Sequence, residues 1–143
     1  MKITKDFEGL VNEGHRYIYN GNIRTDESLV VDLDMGLYVT GFIEAGESIK
    51  AGESIKAGGG ISAGLYITCK YSLSFGLKAY AGICTWRETT DADKTITCGK
   101  LESGIVEYGI LKEMGFDEGK EYTMDEIANS LGIDVKDLKI KKD

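Results

Sequence analysis

Seven residues between positions 66 and 93 are of the types that proteins use to grip one another: Tyr66, Tyr80, Trp86, Arg87, Glu88, Asp91 and Asp93. Trp, Tyr and Arg dominate binding hot spots because each couples a large planar contact area to a polar tip. Trp86 is the only tryptophan, and it precedes Arg87 and the acidic stretch ETTDADK at 88–94. Such a group suits non-covalent recognition of a protein; a competing reading makes Trp86 a local lid folded over the neighbouring chain. Residues suited to bond making are sparse. His15 is the only histidine, lies between Gly14 and Arg16, and reads as a surface or capping residue. Cys69, Cys84 and Cys98 are odd in number and lack CxxC spacing. They read as small buried thiols in a reducing cytoplasm, with no metal, cofactor or catalytic site expected.

The elements that carry these residues are set by Ile43 to Gly64, IEAGES-IKAGES-IKAGGG-ISAG. Ile recurs at 43, 49, 55 and 61, Ala at 45, 51, 57 and 63, and Gly at 46, 52, 58 and 64. In a strand, residues two apart share a face, so Ile49 and Ala51 point inward while Lys50 meets water. Gly52 then stands where the chain turns a corner, a place for positive φ or close backbone approach. Three hexads make one coil of about 18 residues, the period of a parallel β-solenoid. Coils stacked about 4.8 Å apart place like over like. The expected ladders are Val31–Ile49–Ile67, Leu37–Ile55–Leu73 and Ile43–Ile61–Ala79. A helix is a poor rival, because its period is 3.6 and glycine destabilises it.

Hexads begin at Tyr17 and Ile23, two extra residues shift the frame before Val31, and the register then holds to Gly82. Cys69 and Phe75 stand at the position usually held by Ala, so the winding is expected to widen or twist there. The acidic loop 88–94 interrupts the pattern, and Ile96-Thr-Cys98-Gly99 and Val106-Glu-Tyr108-Gly109 restore it. Residues 1–16 are read as an amino-terminal cap, 17–111 as the solenoid and 112–143 as a carboxy-terminal cap and tail, all one domain. In that last part Thr123 and Glu126 form a capping box, Tyr122 and Ile127 a hydrophobic staple, and Gly132 a helix stop. Met124–Ile133 is weakly similar to the start of a helix-turn-helix, but no apolar period for a recognition helix follows.

A formal charge of −7 argues against a nucleic-acid backbone as partner and allows a basic protein surface. No apolar run is long enough for a membrane span, and MKITKDFEG lacks the apolar core of a signal peptide. A cytoplasmic location without membrane contact is expected.

Three resemblances attach to these residues. The hexads at 31–82 resemble the left-handed hexapeptide-repeat acyltransferases, although the large and small positions are exchanged and no histidine lies in the repeats to act as the general base that family uses. They also resemble bactofilins, cytoskeletal polymers built from a short parallel β-helix, which implies self-assembly or a homodimer as one outcome. The wider match, over about 40–111, is to β-solenoid proteins of phages, prophages and plasmids. It rests on the hexads, GLYITCKYSLS, AGICTWRE, the acidic loop and TITCGKLESGIVEYGIL. That resemblance implies a mobile-element origin, and small acidic proteins of that origin include inhibitors of host defence such as anti-CRISPR proteins. The expectation is an all-β, parallel solenoid of about four to five coils. It would act without catalysis, by occluding a basic, nucleic-acid-binding surface on a protein partner.

Overall fold

The computed structural model describes residues 1–115. The expected helix at 123–131 and its caps lie outside the described residues. With 53% strand and 3% helix the described residues are mostly β. The strands are short because each hexad supplies only two inward side chains before its corner.

After β1 (Lys2–Ile3) and β2 (Leu10–Asn12), the strands β3 (Arg16–Tyr19), β4 (Ile23–Thr25) and β5 (Leu29–Val31) form a first circuit. The second is β6 (Gly36–Val39), β7 (Ile43–Ala45) and β8 (Ile49–Ala51), and the third β9 (Ile55–Ala57), β10 (Ile61–Ala63) and β11 (Ile67–Cys69). In the fourth, β12 (Ser72–Ala81) serves two rows and β13 (Thr95–Cys98) the third; β14 (Lys100–Tyr108) and β15 (Ile110–Glu113) follow. From β3 to β9 each strand pairs in parallel with the strand three later, and from β10 to β13 with the strand two later. One sheet runs β1-β5-β8-β11-β13-β15, and the other joins two rows through β12, which pairs with β9 at one end and β10 at the other. The one antiparallel pair among these strands is β2 with β3.

This pairing stacks the apolar residues into ladders. Leu37–Ile55–Leu73 and Ile43–Ile61–Ala79 form as expected, and Tyr17 and Ile23 extend them downward. The third ladder differs. Leu29, not Val31, sits beside Ile49, and Val31 sits beside Ala51. The two extra residues fall after Val31, in the corner at 32–35. Leu33 is buried there, and the Tyr17 hydroxyl donates to Asp34 Oδ1 at 2.8 Å. Above Ile49 the ladder continues through Ile67, Ile96 and Leu111. Each fully buried Ile or Leu contributes about 1.5–3 kcal/mol, so the ladders are the main source of stability.

Close stacking removes side chains at the corners. A Cβ at Gly64 would run into the carbonyl oxygen of Gly46 one circuit below, whereas Gly52 has open space around it. The late circuits are less regular, as their bulkier residues suggest. Phe75 is fully buried, and the β12–β14 register shifts at three places.

At the first circuit, Ile3 of β1 is fully buried beside Val31, and Phe7 packs on Tyr19 with ring centres 5.7 Å apart. The far edge of β4 has no strand among the described residues. It is short and carries Arg24, paired with Glu44 at 3.9 Å, features that resist the addition of a further strand. No helix among the described residues is long and apolar enough to cross a membrane.

Candidate functional site

The loop between β12 and β13 is held by one clasp. Gly82 and Cys84 still stack on the circuit below, donating to the carbonyls of Leu65 and Gly64. The chain then leaves the winding and returns through a single 3-10 turn at Ala92–Lys94. Arg87 binds Asp93 with both arms, Nη1 to Oδ2 at 2.9 Å and Nη2 to Oδ1 at 3.1 Å. Asp93 Oδ2 also accepts from the backbone N–H of Thr90 at 2.9 Å and from its hydroxyl at 3.1 Å. The guanidinium, followed by these Thr90 bonds, favours the carboxylate and holds the Asp93 pKa down at about 2.

Arg87 and Asp93 therefore bind each other across the loop base. Trp86 does not fold over the winding as a lid. It is 61% exposed, with the Arg87 guanidinium 5.3 Å from its ring. Glu88 and Asp91 are exposed, and Asp91 contributes its backbone carbonyl to the Thr95 hydroxyl at 2.7 Å. Positioned by the clasp, the loop presents an indole and two carboxylates to solvent.

Tyr66 and Tyr80 stand on different sheets. Tyr66 leads into β11, with the Lys50 ammonium 5.4 Å from its ring centre; bonds from Lys50 and Ser48 to the phenol lower its pKa. Tyr80 belongs to the other sheet, in the outward row Arg24–Glu44–Ser62–Tyr80–Tyr108. Tyr80 shares a hollow with Ile83, three residues before Trp86, whereas Tyr66 follows the corner at Gly64 and Leu65 on which the start of the loop stacks.

That hollow was not singled out by the sequence reading. It has a volume of about 390 Å³ and is walled by Phe42, Glu44, Tyr80 and Ile83 over a floor of Gly60 and Ser62. A second hollow, about 460 Å³, adjoins it across Gly60, Lys78 and Tyr80, and is walled by Leu77 and Ile105. Leu77 and Ile105 are 65% and 60% exposed, and Phe42, Ile83 and Tyr108 are also open to solvent. The sequence signal was the break in the repeat at 58–60, where Gly-Gly-Gly replaces Gly-Glu-Ser. A Cβ at Gly60 would come within 2.7 Å of the Lys78 carbonyl oxygen, so the floor is bare backbone.

His15 lies in the turn between β2 and β3 and lines a smaller groove with Ser72, Ser74 and Glu102. The serine hydroxyls bond to other serines, Ser72 to Ser54 at 3.0 Å and Ser74 to Ser103 at 2.7 Å. No hydrogen bond joins His15 to a hydroxyl among the described residues, so the pairing that activates a serine is not formed there. Cys69 and Cys98 are buried and Cys84 half-buried, all three as free thiols. Burial, chiefly, pushes the Cys69 thiol up to about 12 and Cys98 to about 11. No group of three His, Cys, Asp or Glu among the described residues is placed to hold a metal ion.

Compared with known proteins, the chain matches no family model, no curated protein and no solved structure.

Proposed function

We propose that this chain is a short parallel β-solenoid of the mobile-element type that works by binding another protein, without catalysis, and inhibits that partner by covering one of its surfaces. The solenoid reading is supported by parallel pairing at a constant offset of eighteen residues, Leu37 to Ile55 to Leu73. The binding reading rests on one observation. Large apolar side chains, Leu77, Ile83, Trp86 and Ile105, stand exposed on the late circuits and their loop. Leu77, Ile83 and Ile105 line two adjoining hollows, and contiguous apolar surface on an otherwise charged protein marks an interaction site. Exposed Glu88 and Asp91 on the same loop suit a partner with a basic surface, including one that ordinarily holds nucleic acid.

The test is capture of partners from a bacterial lysate by the wild-type chain and by the Trp86→Ala variant, with the fold monitored by circular dichroism. A discrete protein retained by the wild type and lost by the variant supports the reading. A retained set identical for both, with the variant folded, would remove it. An inhibitor should also block nucleic-acid binding by the captured partner.

A further inference from the structure

We propose that Cys69 and Cys98 are a reversible dithiol–disulfide pair, and that their oxidation ties the fourth circuit to the third across the base of the Trp86 loop.

The winding brings the two residues together. β11 and β13 pair in parallel, with Ile67 beside Ile96 and Thr68 beside Thr97. Cys69 and Cys98 are the next residue on each strand, and both alternate to the inner face, where they are buried. They extend the interior row that runs Val31–Ala51–Cys69 in the circuits below. The thiols also sense each other, since Cys98 adds to the rise in the Cys69 pKa. Cys84 stands apart, its thiol donating to the Arg87 carbonyl oxygen at 3.5 Å.

Spacing decides what bond the pair can make. Neighbouring strands lie about 4.8 Å apart, inside the range of roughly 4.4–6.8 Å between the Cα atoms of bridged cysteines. The same spacing at Cβ is wider than the roughly 3.5–4.5 Å of a relaxed bridge, so the bond must draw the two strands slightly together. Cys69 and Cys98 are the last residues of their strands, next to corners that can yield. A bridge closed under such strain is of the labile, regulatory kind and not a permanent staple.

Its consequence falls on the loop. Between the two cysteines lie β12, the excursion that carries Trp86 and Arg87, and the return into β13. In the dithiol state the fourth circuit rests on the third through backbone hydrogen bonds and packing alone. The disulfide joins the two ends of this stretch, so the base of the loop can no longer lift from the circuit beneath it.

The oxidant must be small enough to enter the interior, which points to a peroxide. One thiolate attacks a peroxide oxygen, the O–O bond breaks, and a sulfenic acid and one water result. The second thiol attacks the sulfenic sulfur, the S–S bond forms, and a second water leaves. Two thiols and one hydrogen peroxide thus give one disulfide and two waters. Burial makes the reaction slow, and Cys98, raised to about 11 against about 12 for Cys69, is the first to react.

The full chain carrying Cys84→Ser, which removes the most accessible thiol, is held in hydrogen peroxide under native conditions. Remaining thiols are then blocked in denaturant, and the chain is mapped by peptide mass spectrometry. The expected product is a Cys69–Cys98 crosslink within one chain, reopened by dithiothreitol. The oxidised chain should unfold at a higher denaturant midpoint than the reduced one, because the crosslink restricts the unfolded chain. Cys69→Ala in the same background should erase that difference, alanine being the residue that the row holds at Ala51. If Cys84→Ser does not fold, the wild-type chain with Cys84 alkylated by iodoacetamide is read in its place.

Thiols left intact, or sulfinic acid at either position without a crosslink, would overturn the proposal, because the pair would then be too distant or too enclosed to join. So would a crosslink that forms only in denaturant or that joins two chains. A native crosslink that leaves the midpoint unchanged would remove the tie between the circuits, and the proposal with it.

Discussion

Gly104 lies against the face of Phe75: a Cβ built on this glycine would enter the ring, and its φ of +110° is one that other residues rarely adopt. Phe75 takes the interior position that Ala57 holds one circuit below, and the chain above makes room by losing a side chain. Gly104→Ala should therefore destabilise the protein by about 1–3 kcal/mol, combining overpacking with backbone strain. Pairing it with Phe75→Leu should recover part of that loss in a double-mutant cycle followed by chemical denaturation. Strict additivity would mean that the ring and the glycine are not coupled.

The corner glycines divide into two kinds. Gly64→Ala places a methyl group against the Gly46 carbonyl, whereas Gly52→Ala meets nothing. Thermal unfolding should show a clear fall for the first, on the order of 1–3 kcal/mol. The second should be neutral or slightly stabilising, by about 0.4–1 kcal/mol, because it restricts the unfolded chain. Equal effects at the two positions would contradict the close stacking at Gly64.

Asp93 titrates at about 2 in the folded chain, against an ordinary value of 3.8. Its folded pKa is depressed, so its contribution to holding the loop is fully present above the ordinary value and is lost as pH falls through about 2. The pH dependence belongs to that acidic window and is absent at neutrality. Carboxyl NMR of an Arg87→Gln variant should show Asp93 moving back up towards 3.8, since Arg87 is the largest cause of the depression. A value that stays low would transfer the cause to the Thr90 bonds.

The thiols should react in a fixed order. A thiol attacks as its thiolate, and Cys69 and Cys98, raised to about 12 and about 11 and buried, are protonated at mildly alkaline pH. An aromatic disulfide reagent should label Cys84 alone in the native chain and all three cysteines in denaturant. Fast native labelling of Cys69 or Cys98 would show that the winding opens between its late circuits.

The period of six made most of the interior legible, because it forces every sixth residue into an equivalent place and every eighteenth onto its like. Ile43, Ile49, Ile55, Ile61, Ile67 and Leu73 could be assigned inward positions from that repeat, and all are buried. The first circuit was less determinate. In Leu29-Val-Val31-Asp-Leu33 three alternate residues are apolar, so the pattern is satisfied whether two extra residues fall before Val31 or after it. Only the pairing of Leu29 with Ile49 decides, and it places the extra residues in the corner at 32–35.

The candidate site divides in the same way. Residue types marked Trp86, Arg87 and Tyr80, but type carries no information about which of them a neighbour consumes. Arg87 and Asp93 meet only because the loop turns back on itself. Trp86 stands exposed beside that pair, and Tyr66 stands on the other sheet. Leu77 and Ile105, ordinary apolar residues in the sequence, became surface walls because β12 and β14 cross a corner where Gly60 leaves no cover. By itself the sequence determined the repeating interior, since burial of aliphatic side chains at a fixed spacing is a local demand repeated along the chain. The tertiary structure decided the outer surface, because exposure and pairing there depend on which distant segment each corner brings alongside.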